Sequence, residues 1–132
     1  MTAVTWLRIA AVLGALGVTL GAFGAHGLKA KLDPYSLDIY HTAVTYQMYH
    51  VLALLAVGLL DVVGRGGTAL NLAGWSFTVG ILIFSGTLYA LSVTGIKWLG
   101  AFTPIGGLFL ILGWIALAVA ASSAGRGIAV EV

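Results

Sequence analysis

Apolar residues run through the chain in four long stretches, roughly 3–25, 43–60, 70–93 and 103–121, and charge, proline and turn-forming glycine collect between them. A bilayer's hydrocarbon core takes about 20 helical residues to cross, so each stretch predicts a transmembrane helix. In the first connection, Asp33-Pro34 reads as a helix start. The carboxylate accepts free backbone N–H groups, and proline at the first helical position loses no hydrogen bond. The second helix is therefore expected over about 34–60, entering the hydrocarbon near Ala43, with the others over about 3–25, 70–93 and 103–121. Thr103-Pro104 repeats that signal and leaves 95–102, carrying Trp98, as an interfacial turn. The first stretch shares the outline of a signal peptide, with Arg8 early and small residues near Ala25, but is read as a retained span. The expected fold is all-α: one polytopic membrane domain over 1–132, an up-down bundle of four transmembrane helices.

Composition agrees with the pattern. Of 132 residues, 61% are hydrophobic and 8% charged, against about 45–50% apolar in soluble domains; mean hydropathy is +1.09. Six basic residues stand singly against four acidic ones. No basic stripe exists to bind nucleic acid. Cysteine is absent, so disulfides, thiolate metal sites and iron–sulfur clusters are excluded.

Glycine supplies the packing signal. Gly14, Gly17, Gly21 and Gly24 follow at three- or four-residue steps along the first helix, and such a groove lets a neighbouring backbone approach closely. The groove predicts an intrachain neighbour.

Short connections force the helices to alternate direction, so the end of helix 1, the start of helix 2, the end of helix 3 and the start of helix 4 share one membrane face. "GAFGAHG" (21–27), "YQMYH" (46–50), "FSGTLY" (84–89) and "TPIGG" (103–107) gather there. The opposite half is nearly all aliphatic, with Trp6, Trp75 and Trp114 expected toward the interface. Tyr46 and Gln47 precede His50 by four and three residues and are expected to face inward with it. Thr78, Ser85, Tyr89 and Ser92 make a stripe on helix 3. His41 lies nine residues from His50, on the other side of the helix, and is expected exposed. His26 is the histidine placed to approach His50. The free N–H groups of Ile105, Gly106 and Gly107 would welcome an anion or carbonyl oxygen at the start of helix 4; Thr103 as cap, with Gln47 or water, is the plainer account. The candidate binding cluster is thus His26, Tyr46, Gln47, His50, Ser85, Tyr89, Thr103, Gly106 and Gly107. His50 is expected to be buried and to hydrogen-bond another helix, with Tyr89, Ser85, Thr103 or the Gly106 backbone as partner.

These motifs, with Gly113-Trp114, resemble the four-helix membrane family catalogued as domain-of-unknown-function family 423, which includes YgdD-like bacterial proteins. By that resemblance His26, Gln47, His50, Ser85, Gly86, Tyr89, Thr103, Pro104, Gly106 and Gly107 occupy signature positions. The family implies the fold and brings no established activity.

Intramembrane polar residues mark functional paths by default, yet Ser, Thr, Gln and His also join helices as hydrogen-bonding glue. The leading expectation is a small structural or accessory membrane component. The alternative is a site that binds or conducts a small polar solute, a proton or a lipid head group, in an oligomer. An enzyme is disfavoured: the spans hold no carboxylate pair or Ser-His-Asp set, and three histidines without cysteine make a poor metal site. Haem held by His26 and His50 ranks lowest. No catalytic residue, metal or cofactor is assigned; the partners expected are the lipid bilayer and a second copy or larger membrane complex. Arg8, Arg65 and Arg126 on one face balance Lys29, Lys31 and Lys97 on the other. The resemblance tips this toward both termini in the cytoplasm of a bacterial inner membrane.

Overall fold

The computed structural model describes residues 1–126, and the tail beyond them lies outside the description. Four apolar helices follow in order: α1 (Ala3–Phe23), α2 (Pro34–Val62), α3 (Thr68–Thr94) and α4 (Thr103–Arg126). Each is long and apolar enough to cross a membrane. At about 1.5 Å per residue, the 29 residues of α2 exceed a hydrocarbon core of about 30 Å. Its first turns therefore project beyond the hydrocarbon.

The helix ends follow from local chemistry. Asp33 caps α2, accepting from the Ser36 amide at 3.0 Å and the Ser36 hydroxyl at 2.7 Å, with Pro34 next. Those two bonds hold the Asp33 carboxyl below the usual carboxylate range. At the other end of α3, Gly95 adopts the left-handed conformation (φ 70°) and returns its N–H to the Leu91 carbonyl at 2.8 Å, a conformation that glycine reaches without steric cost. Helix α1 does not stop near residue 25 but widens into a π turn over Gly24–Leu28.

Consecutive helices are neighbours, α1 on α2, α2 on α3 and α3 on α4, so α2 and α3 carry the largest buried shares. The glycine groove of α1 receives α2 within the same chain. A Cβ at Gly14, Gly17, Gly21 or Gly24 would meet Val51, Met48, Val44 or Tyr40 respectively, an antiparallel register. Between α3 and α4 the approach is closer still, since a Cβ on Gly106 would strike the Phe84 backbone.

The core of Trp6, Leu54, Val57, Leu70 and Phe77 lies toward the end that holds the amino terminus. Trp6 departs from its expected place at the interface. It is fully buried, because Gly74 leaves room for its indole: a Cβ there would lie 2.7 Å from the ring. Trp75 and Trp114 keep an exposed side.

Candidate functional site

The interior arc of α2 carries Tyr40, Ala43, Gln47, His50, Leu54 and Val57, all buried. Their three- and four-residue steps keep them on one side of the helix. Gln47 is the hub. Its Nε2 donates to the Leu13 carbonyl of α1 at 2.7 Å, and its Oε1 accepts from the Tyr89 hydroxyl of α3 at 2.7 Å. One amide side chain thus ties three helices together.

Further bonds flank the hub. The Ser85 hydroxyl donates to the Ala43 carbonyl at 2.7 Å, joining α3 to α2. The Tyr40 hydroxyl donates to the Leu20 carbonyl at 2.7 Å, joining α2 to α1, and its ring meets Tyr89 edge-on with centroids 5.1 Å apart. Hydroxyls of Thr87 and Thr103 lie 2.8 Å apart and link α3 to α4. Tyr40 and Thr87 escaped the sequence reading, although a signal for Tyr40 was present: it precedes Gln47 by seven residues, two turns along the same face.

Several expected members fall elsewhere. Tyr46 is exposed, stacked on Phe84 with centroids 4.6 Å apart. It neighbours Gln47 in sequence and so lies about 100° around the helix from it. His26 is exposed. In the π turn it is the inward-facing Gly24 and Leu28 that are buried, and His26, midway between them, points away. His26 and His50 thus have different surroundings, one exposed and one buried.

His50 is buried, as expected, but its bond is local: Nδ1 meets the Tyr46 carbonyl of its own helix at 2.6 Å. No hydrogen bond joins it to Tyr89, Ser85, Thr103 or the Gly106 backbone. The side chain lies against the rings of Phe77 and Trp114, each 5.9 Å away between centroids. His41 is exposed on the opposite side, as its spacing predicts.

The amino end of α4 also differs from expectation. A 3-10 turn over Lys97–Ala101 leads almost directly into the helix. The Phe102 carbonyl accepts from the amides of Ile105 at 3.0 Å and Gly106 at 3.4 Å. Those donors are already satisfied, and the Thr103 hydroxyl serves Thr87 rather than capping the helix. Gly106 is buried and Gly107 half-buried, serving the close α3–α4 approach. Trp98 is exposed beside Phe102, as suits an interfacial turn.

Among the described residues, no group of three or more His, Cys, Asp or Glu comes together to hold a metal ion. The cluster's chemistry is that of hydroxyls and one amide engaged with backbone carbonyls and with one another.

Comparison with known proteins gives a consistent result. The sequence profile of the family described as "Protein of unknown function (DUF423)" matches residues 20–107. A UPF0382 membrane protein of Staphylococcus aureus (strain bovine RF122 / ET3-1) is 47% identical over 118 residues, covering 86% of this chain and 95% of that protein. The UPF0382 membrane protein YwdK of Bacillus subtilis (strain 168) is 47% identical over 119 residues, covering 87% and 97%. No solved structure matches.

Proposed function

We propose that this chain, which belongs to the DUF423 family of membrane proteins of unknown function, uses its polar interior to hold its helices together, as a non-enzymatic structural or accessory component of the membrane. The observation that carries this reading is that buried Gln47 bonds to two other helices at once, donating to the Leu13 carbonyl of α1 and accepting from the Tyr89 hydroxyl of α3. An amide whose donor and acceptor both engage other helices of its own chain is occupied as glue. A conduction path or solute site would present its polar groups to a wetted space, whereas Gln47 and Ser85 are buried and Ser85, Tyr40 and Thr87 are likewise engaged within the chain.

The test separates glue from conduction. Gln47→Leu removes two interhelical bonds worth about 0.6–2 kcal/mol each. It should lower thermal stability in detergent by about 1–3 kcal/mol, and wild-type protein in liposomes should pass protons and small polar solutes no faster than empty liposomes. Saturable flux that Gln47→Leu abolishes while leaving stability unchanged would replace this reading with the conduction site.

The bilayer is the partner for the outward side chains of all four helices, such as Val12, Leu59, Leu82 and Ile111, which are exposed in the isolated chain. We assign the arginine-bearing face, with Arg8 and Arg65, to the cytoplasm along with both termini, as the resemblance to bacterial relatives implies. Single cysteines at positions 29 and 65, labelled with an impermeant reagent on intact cells, should react at 29 and not at 65. The reverse result inverts the protein in the membrane.

A further inference from the structure

His50 is 7% exposed, and only one of its ring nitrogens is occupied. A carbonyl oxygen can only accept, so the 2.6 Å bond to Tyr46 puts the proton of the neutral ring on Nδ1. The lone pair is then on Nε2, which finds no partner among the described residues. That atom is not among the fully enclosed unpaired ones, and its residue borders a groove of about 610 Å³ between α2 and α4, together with Tyr46, Tyr49, Ala53, Ala56 and Trp114.

Depth narrows the ligand. His50 lies seven residues past Ala43, where α2 is expected to enter the hydrocarbon, and 12 before Val62, roughly 10 and 18 Å from those points at about 1.5 Å per residue. Phospholipid head groups do not reach that depth, and an ion would need more than one polar contact. The walls are aromatic around the nitrogen and aliphatic beyond it: Tyr46 lies nearly parallel to the imidazole, tilted 27° with centroids 6.0 Å apart, and Trp114 stands edge-on. Toward Ala56, the groove continues for about 9 Å along α2 past Ala53, alongside Leu117.

We propose that this groove binds a lipid-soluble phenol or quinol, its ring against Tyr46 and Trp114, its hydroxyl donating to His50 Nε2 and its tail along Ala53 and Ala56. A neutral imidazole in hydrocarbon has an acceptor with no water to satisfy it. A membrane-dissolved molecule with one hydroxyl on a flat ring supplies the missing donor, and ring packing adds specificity. The site is separate from the Gln47 network and does not depend on that network's role.

The probe is 2-bromo-4-nonylphenol, whose bromine quenches tryptophan fluorescence, compared with its methyl ether, which lacks the donor. Full-length protein in phosphatidylcholine nanodiscs should show saturable quenching that disappears in Trp114→Phe. The ether should bind about fivefold more weakly, the discrimination expected of one neutral hydrogen bond. His50→Leu should erase the difference between phenol and ether. Ala56→Trp, which fills the groove without touching His50, should abolish saturation and keeps the test decisive if His50→Leu fails to fold. Equal binding of phenol and ether to wild type, or quenching that never saturates, overturns the proposal. So does disulfide-linked dimer formation through Ala56→Cys in nanodiscs, because a second copy would then cover the groove.

Discussion

The two halves of the bundle differ in whether hydrogen bonds join their helices. In the half bearing the shared polar motifs, helices are joined by directional bonds: Gln47 to Leu13 and Tyr89, Ser85 to Ala43, Tyr40 to Leu20, Thr87 to Thr103. Toward the amino terminus the joints are large side chains seated against glycine: Trp6 on Gly74, Leu7 on Gly58, Phe77 on Gly113. Lipid tails are as apolar as leucine, so burying an aliphatic residue between helices gains little in a membrane. What remains is dispersion from close packing, or hydrogen bonds between groups with few alternative partners. The amino-terminal half relies on the first, and the motif half adds the second to its own close contacts at Gly24 and Gly106.

Trp6 gives the sharpest test of the packed half. Its Nε1 is fully enclosed and lacks a partner among the described residues. Its net contribution is therefore packing minus the cost of an unpaired donor. Trp6→Ala opens a cavity facing Gly74 and should cost about 3–5 kcal/mol, the range for such truncations. Trp6→Phe keeps much of the ring and removes the unpaired N–H, whose burial costs about 1–3 kcal/mol. The two terms offset, and its stability should stay within about 1 kcal/mol of wild type, read by thermal unfolding in detergent. A Phe variant as damaged as the Ala variant would mean that Trp6 is held by a bond and that the two halves do not differ. The loss predicted for Gln47→Leu falls between these variants, since directional bonds in membranes are individually modest.

The same contrast explains which features the sequence disclosed. Helix order, the Asp33 cap, the α1 groove and the burial of Gln47, His50 and Ser85 rest on strong periodic or capping signals, and the geometry agrees with them. Errors arose where one helical position decides the outcome. Tyr46 and Gln47 each lie within one turn of His50 but on opposite sides of it, about 40° and 60° around the helix at roughly 100° per residue. The interior arc spans from Tyr40 to Val57 with Gln47 and His50 both inside it, and Tyr46 falls just outside. No composition signal announces the π turn that directs His26 outward. A 3-10 lead-in to α4 is equally hidden in "GIKWLGAF", and it supplies the carbonyl that satisfies the Ile105 and Gly106 amides. Trp6 was misjudged because tryptophan near a helix end usually marks the interface; only its pairing with Gly74, 68 positions further along the chain, reveals a core residue.

The smallest expected effect lies outside both halves, at the solvent-facing start of α2, where neither dense packing nor hydrocarbon operates. Asp33 is fully exposed and acts only through Ser36 and the first-turn amides. Asp33→Ala should lower thermal stability less than Gln47→Leu does, because water competes for every bond the cap makes. The pH dependence has a definite sign. Since folding lowers the Asp33 pKa, its contribution is fully present above the pKa of the unfolded chain and fades as pH falls through the lower, folded value. Wild type and Asp33→Ala should therefore differ at neutral pH and converge in acid below the usual carboxylate range. Gln47→Leu should keep its deficit across the same interval, because an amide does not titrate. Convergence of Gln47→Leu with wild type in acid would tie the interior network to a titrating group, and the division between a solvent-exposed cap and a solvent-excluded bond would fail at its most direct point of measurement.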